Sequence, residues 1–277
     1  MLIAGERHSG TTYVKALLAS RLCFKQALHY HERMVWGQQR WKHDLVDVPR
    51  AAQKLTGVIS RTRWPIVFVA VTRAPYAWLA AMWLEPLSTR YDASGRVDLR
   101  RFVARLRGRD DGRLATGARF ADFVLAPWDG RVAEVPPRAY AFDSLVAMRT
   151  AKLRAFRKLE GALAAGSGVH CAAFLHVNYE EALREPERVL AGVARARGRA
   201  PPLPPLRGEF ASLPRFFGSQ VDARSIRSRE FDAAEARERT ARVLRGLTPA
   251  QLRRINAQLD CDVEASFGYK LLSLIHI

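Results

Sequence analysis

Hydrophobic and polar positions change period several times along the chain, and each change marks an element. A short apolar run over residues 1–4 meets a polar loop. From Thr11 onward Tyr13, Val14, Leu17 and Leu18 fall at helical spacing, which predicts a helix over 11–22. A mixed stretch leads through Trp41 to a helix over 48–60. The run WPIVFVAV at 64–71 then reads as a buried strand, followed by a helix over 75–87 whose Tyr76, Trp78, Met82 and Trp83 recur near a spacing of four and belong to a core. Residues 88–130 break the rhythm with Gly, Asp and Arg clusters and read as an insertion. A helix over 143–165, a strand over 169–177 and a helix over 179–197 restore it. Two helices, 232–244 and 249–259, follow a segment at 199–230 that is rich in Pro and basic residues. Strands alternating with helices predict an α/β fold, a central parallel sheet in a three-layer arrangement with helices on both faces. Ligands of such sheets sit at the carboxyl ends of the strands.

With 277 residues and 48% apolar content the chain can bury one large core. A single domain over 1–270 is therefore expected, with the insertion at 88–130 and a non-native or disordered tail at 271–277, since Ser273–Ile277 fits no element. The first strand has about four residues before its loop, fewer than the usual five or six, so the natural start is expected upstream.

The loop after the first strand carries the chemistry. In Gly5-Glu6-Arg7-His8-Ser9-Gly10-Thr11-Thr12 two glycines allow a tight turn, and a helix opens at Thr11 with its positive dipole end facing the turn. This is a phosphate cradle of P-loop type, although a turn of this kind can also serve as a plain helix cap. The nucleoside triphosphatase version has Lys where Thr11 stands, and an apolar strand elsewhere ends in a metal-binding Asp. Here the cations Arg7 and His8 lie inside the loop, and strand 64–71 runs into Thr72-Arg73. Positive charge replaces a magnesium ligand, an arrangement suited to a second anionic group bound without a metal.

GERHSGTTYVKALL resembles the 5′-phosphosulfate loop of sulfotransferases that use 3′-phosphoadenylyl sulfate, and VTRAPYAWLAAMW resembles their 3′-phosphate motif. The stretch VNYEEALREPERVL at 177–190 is similar to a third family segment, and the three occur in the family's order. The resemblance implies transfer of a sulfuryl group to an acceptor hydroxyl or amine, leaving 3′,5′-adenosine bisphosphate and using no metal. It implies that Ser9, Gly10, Thr11 and Thr12 hold the 5′-phosphate, with Arg7 or His8 where the family has a cation. Arg73 would hold the 3′-phosphate, and Tyr179 would contact the nucleotide or only pack. The family's serine eight residues after that arginine falls on Ala81, so one hydroxyl contact, worth roughly 1.5 to 3 kcal/mol when made to a charged group, is missing. The family's catalytic His has its counterpart in His43, beside Lys42. His43 would take the acceptor's proton and Lys42 would stabilise developing charge, with Glu32 or Glu85 as alternative bases. The family's basic closing triplet is absent; Arg224, Arg227 and Arg229 are its candidate substitutes, and a plain linker is the other reading.

Charge alters the picture little. The formal net charge is +18, but only 7 of the 45 basic residues are lysines and the arginines are spread along helices among Ala and Leu, a pattern of bacterial-like coding bias rather than one binding stripe. Nucleic acid is not an expected partner; a small-molecule or carbohydrate acceptor is. Cys23, Cys171 and Cys261 give neither a disulfide framework nor a zinc spacing, and His29 and His31 lack a third ligand, so no metal site is expected. No apolar run approaches the roughly 20 residues of a membrane span, and with no leader pattern a cytoplasmic location is expected. Two other functions fit parts of the pattern: a small-molecule or nucleotide kinase on the same scaffold, and a catalytically silent nucleotide- or nucleic-acid-binding protein.

Overall fold

The computed structural model describes residues 2–6, 9–22, 67–84, 118–132, 138–165, 173–196 and 233–272. They divide into two compact units, one made from residues 1–73 and 154–236, the other from 74–153 and 237–277. The long helix α4 contributes its first turns to the second unit and the remainder to the first.

The first unit is built on a parallel three-stranded sheet in the order β1-β2-β5, with β1 Leu2–Gly5, β2 Val67–Thr72 and β5 Ala173–Asn178. All six residues of β2 are buried, as expected for a central parallel strand covered on both faces. On one face Val67, Val69 and Val71 join Ile3, Val14, Leu17 and Leu18 in a single cluster. On the other, Phe68 stacks on Phe174 with ring centroids 4.7 Å apart. Helix α1 (Thr11–Leu22) presents Val14, Leu17 and Leu18 to this core, each fully buried and contributing roughly 1.5–3 kcal/mol. Its limits are those the apolar spacing predicts. The register pairs Gly5 with Val71 and Thr72 with Asn178, so the carboxyl ends of all three strands lie along one edge.

The helix predicted over 179–197 is two helices, α5 (Tyr179–Arg184) and α6 (Pro186–Ala196). Proline disfavours the helical conformation in the residue before it, and Glu185 accordingly leaves it at φ −133° and ψ 59°. The break lets α6 turn Val189, Leu190, Val193 and Ala194 into the same core as α1.

Among the described residues the second unit is mainly helical, with an antiparallel hairpin, β3 (Trp128–Val132) with β4 (Arg138–Phe142), which the sequence pattern did not predict. Helix α2 (Pro75–Leu84) buries Tyr76, Trp78, Met82 and Trp83 as expected. Trp83 packs on Phe123 of α3 (Ala118–Leu125) at 5.2 Å between centroids. The first part of α4 (Leu145–Ala165), together with α7 (Ala233–Leu244) and α8 (Pro249–Asn256), completes the cluster with Leu145, Val243, Leu252 and Ile255. Helix α8 starts at a capping box in which Thr248 and Gln251 exchange bonds, with Pro249 in the first position. A further short helix, α9 (Cys261–Ser266), lies beyond the predicted elements and carries the buried Glu264. Glu264 grips Arg149 through Nε at 2.6 Å and Nη2 at 2.9 Å, and that guanidinium lies 5.3 Å from the Trp78 ring and 5.9 Å from the Tyr269 ring. Both charged partners are sealed from solvent, with side-chain exposures of 0% and 1%.

The insertion read at 88–130 lies outside the described residues up to 117. Its last part holds α3 and the start of the hairpin. The predicted helix at 48–60, the Pro-rich segment 199–230 and Ser273–Ile277 also lie outside them. Among the described residues no helix is long and apolar enough to cross a membrane.

Candidate functional site

The described part of the site is formed by the ends of β1, β2 and β5 and the segments that leave them. The loop leaving β1 folds back tightly on Gly5, where an added Cβ would lie 2.5 Å from Ser9 Oγ, 2.5 Å from Thr11 Cγ2 and 2.6 Å from the Val71 carbonyl oxygen. Only glycine leaves room for that return. Ser9 is fully buried and commits both of its donors to one acceptor: its N–H reaches the Glu6 carbonyl at 3.1 Å and its hydroxyl reaches the same oxygen at 2.6 Å. Helical bonding begins with the Val14 N–H on the Gly10 carbonyl at 3.0 Å. The N–H groups of Gly10, Thr11, Thr12 and Tyr13 thus belong to the opening turn, which has no acceptors within its own helix.

Gly10 stands at φ +85°, a conformation open to glycine and costly for other residues. It also supports a side chain from a distant part of the chain. A Cβ on Gly10 would fall 2.0 Å from Cδ2 and 2.5 Å from Cε2 of Tyr179. The Tyr179 ring, 5% exposed, meets Tyr13 edge-on with centroids 6.0 Å apart. Tyr13 in turn donates its hydroxyl to the Ala182 carbonyl at 3.3 Å, and burial pushes that hydroxyl's pKa up, so it remains a donor at ordinary pH.

Arg73 leaves the end of β2 with its guanidinium carbon 5.1 Å from the centroid of the same Tyr179 ring, within cation–π range. Its Nε lies 4.0 Å from Glu180 Oε1. The hydroxyl of Thr72, immediately before it, donates to Asn178 Oδ1 at 3.2 Å and ties β2 to β5 at their carboxyl ends.

Of the residues singled out from sequence, Gly10, Arg73 and Tyr179 thus come together on one aromatic ring. Ser9 and Thr11 line the turn beside them, and Thr12 occupies the second position of α1. Arg7, His8, Lys42 and His43 lie outside the described residues, as do His29, His31, Glu32, Glu85, Arg224, Arg227 and Arg229. Three contributors escape sequence reading. Glu6, 1% exposed, lies buried in the turn, Tyr13 packs edge-on against Tyr179, and Glu180 lies 4.0 Å from Arg73. Their only signal was adjacency to residues already singled out.

A second polar cluster in the same unit lies on β5 and α4. His176 Nε2 is 3.0 Å from Glu160 Oε2, which also accepts from Arg157 Nη1 at 2.7 Å. Burial lowers the His176 pKa more than Glu160 raises it. The same Nε2 is 3.2 Å from Arg157 Nη1, so in the neutral imidazole it donates to the carboxylate or accepts from the guanidinium according to the tautomer. For Glu160, burial works upward, but the hydrogen bonds from Arg157 and His176 outweigh it and hold its pKa low.

No protein-family model, no curated protein and no solved structure matches the chain.

Proposed function

We propose that the chain is a sulfotransferase of P-loop type that moves a sulfuryl group from 3′-phosphoadenylyl sulfate to the hydroxyl or amine of a small-molecule or carbohydrate acceptor. One observation carries the reading. The turn after β1 and the cation after β2 both meet a single side chain, since Tyr179 packs against Gly10 and lies within cation–π range of Arg73. A turn of backbone N–H groups and a guanidinium gathered around one ring suit a ligand with a phosphate at each end of a nucleoside. The sheet order and the all-buried central strand suit a three-layer scaffold with its ligand at the strand ends.

The residues fit the nucleotide unequally. The opening turn of α1 offers N–H groups to the 5′-phosphate, and Arg73 offers charge to the 3′-phosphate. The donors of Ser9 are turned to the Glu6 carbonyl, so in this arrangement Ser9 shapes the turn. The bound nucleotide would supply the activated sulfuryl group. This chain's part is to hold its two ends, with an imidazole nitrogen of His43 accepting the acceptor's proton and Lys42 stabilising charge on the transferring oxygens.

Calorimetry with adenosine 3′,5′-bisphosphate against ATP with magnesium tests the cofactor without knowledge of the acceptor. The bisphosphate is expected to bind, and Arg73→Ala to weaken it by about tenfold or more, in line with loss of a charge-assisted hydrogen bond. Preference for ATP with magnesium would favour a kinase and overturn the reading. His43→Ala is expected to leave binding intact and abolish sulfate transfer; binding without turnover in either form would indicate a silent nucleotide-binding protein.

A further inference from the structure

The last rung of the sheet carries a side-chain bond in addition to its backbone pairing. Thr72 and Asn178 are the final register pair of β2 and β5, and the residue that follows each of them is a member of the cation–π pair, Arg73 and Tyr179, at 5.1 Å. The Thr72 hydroxyl, fully buried, donates to Asn178 Oδ1 at 3.2 Å. Asn178 is also the N-cap residue of α5, with extended backbone at φ −79° and ψ 127°, a position where asparagine commonly turns its side-chain oxygen onto the first turn of its own helix. No such cap bond forms here, and the same oxygen serves the neighbouring strand instead. Glu180 and Glu181 in the first turn complement the dipole of α5 in its place. Ends of elements open more readily than their centres, and parallel pairing is slightly weaker per residue than antiparallel. A rung tied by side chains as well as backbone therefore fixes Arg73 against Tyr179 at the point where both segments leave the sheet. Burial of the Thr72 hydroxyl strengthens that tie, because a hydrogen bond shielded from water is electrostatically stronger.

We infer that Asn178 is a positioning residue: through Thr72 it holds Arg73 beside the Tyr179 ring in the pose that meets the ligand's 3′-phosphate. The inference rests on the cofactor reading above and gives neither Asn178 nor Thr72 a contact with the nucleotide. Without the bond the last rung frays and the guanidinium samples a wider range of poses. Binding a 3′-phosphate then carries the added entropy cost of ordering it. A ligand that lacks this phosphate does not engage Arg73 and is insensitive to the loss.

The test is calorimetry of the full chain with adenosine 3′,5′-bisphosphate and with adenosine 5′-monophosphate. Thr72→Val keeps the side-chain shape and removes the donor. It is expected to weaken the bisphosphate about three- to tenfold, the share of one neutral hydrogen bond, while moving the monophosphate by less than about twofold. Thr72→Ser keeps the donor and should bind both nucleotides as the native protein does. In an Arg73→Ala background, Thr72→Val should change bisphosphate binding by less than about twofold, because the residue through which it acts is gone. Native bisphosphate affinity in Thr72→Val, equal loss for both nucleotides, an equal loss in Thr72→Ser, or the full loss persisting in the Arg73→Ala background each overturns the positioning role and leaves the cofactor reading standing. If the native protein does not bind the bisphosphate, the cofactor reading falls and this inference falls with it. A Thr72→Val variant that melts early is replaced by Asn178→Ala, which removes the acceptor and is held to the same outcomes.

Discussion

Replacing Gly10 by alanine tests whether the turn and Tyr179 form one packed unit. Two costs arise at this position. A residue with a Cβ held at φ +85° carries about 1–2 kcal/mol of backbone strain. The methyl group would also fall 2.0, 2.5 and 2.7 Å from Cδ2, Cε2 and Cγ of Tyr179, too close to be absorbed by a small shift. That ring has little freedom to yield, with Tyr13 against it at 6.0 Å and the Arg73 guanidinium above it at 5.1 Å. Overpacking of this kind costs about 1–3 kcal/mol. Together the two terms predict a loss of about 2–5 kcal/mol, a large share of the roughly 5–15 kcal/mol that holds a typical domain together. Urea unfolding of a double-mutant cycle separates them. In a Tyr179→Leu background the added methyl no longer meets a ring, so Gly10→Ala should cost only the backbone share, at least about 1 kcal/mol less than in the native background. A cost below about 1 kcal/mol in the native protein, or the same cost in both backgrounds, would refute the packed unit.

Breaking the buried pair in the second unit should be severe. Arg149→Met or Glu264→Gln alone is expected to destabilise by about 3–5 kcal/mol, because each leaves the other partner's buried charge uncompensated. The double change to Met and Leu should cost less than either single change, as denaturant unfolding would show. The His176–Glu160 cluster sets a pH dependence. Both folded-state pKa values lie below the unfolded values, 6.5 for the histidine and 4.5 for the glutamate. Their stabilisation is therefore complete above those values and is lost as pH falls through the folded ones. Thermal melts should show stability falling between neutral pH and pH 4. The part of that fall at and below pH 6.5 should flatten in His176→Asn, and an unchanged profile would count against the neutral imidazole.

Some of this molecule is written in short stretches of chain. Helix α1 has the limits its apolar spacing predicts, because Val14, Leu17 and Leu18 make one stripe whatever they pack against. The start of α8 is equally local, a Thr-Pro-x-Gln sequence whose partners are three residues apart. The glycine turn and Arg73 stand out in the sequence by charge and position alone. Tertiary structure decided what these pieces do to each other. Parallel pairing in the order β1-β2-β5 aligns Gly5, Thr72 and Asn178 along one edge, and the register that does so depends on contacts between segments 66 and 106 residues apart. Arg149 reads in sequence as one more arginine on a helix until Glu264, 115 residues away, closes on it. Arg73 and Glu180, 107 residues apart, come to 4.0 Å only when β2 pairs with β5. Periodicity and capping are properties of neighbours along the chain, so the sequence carries them openly. The meeting of Gly10, Tyr179 and Arg73 arises only when the sheet closes and sets the free energy of one segment by the position of another.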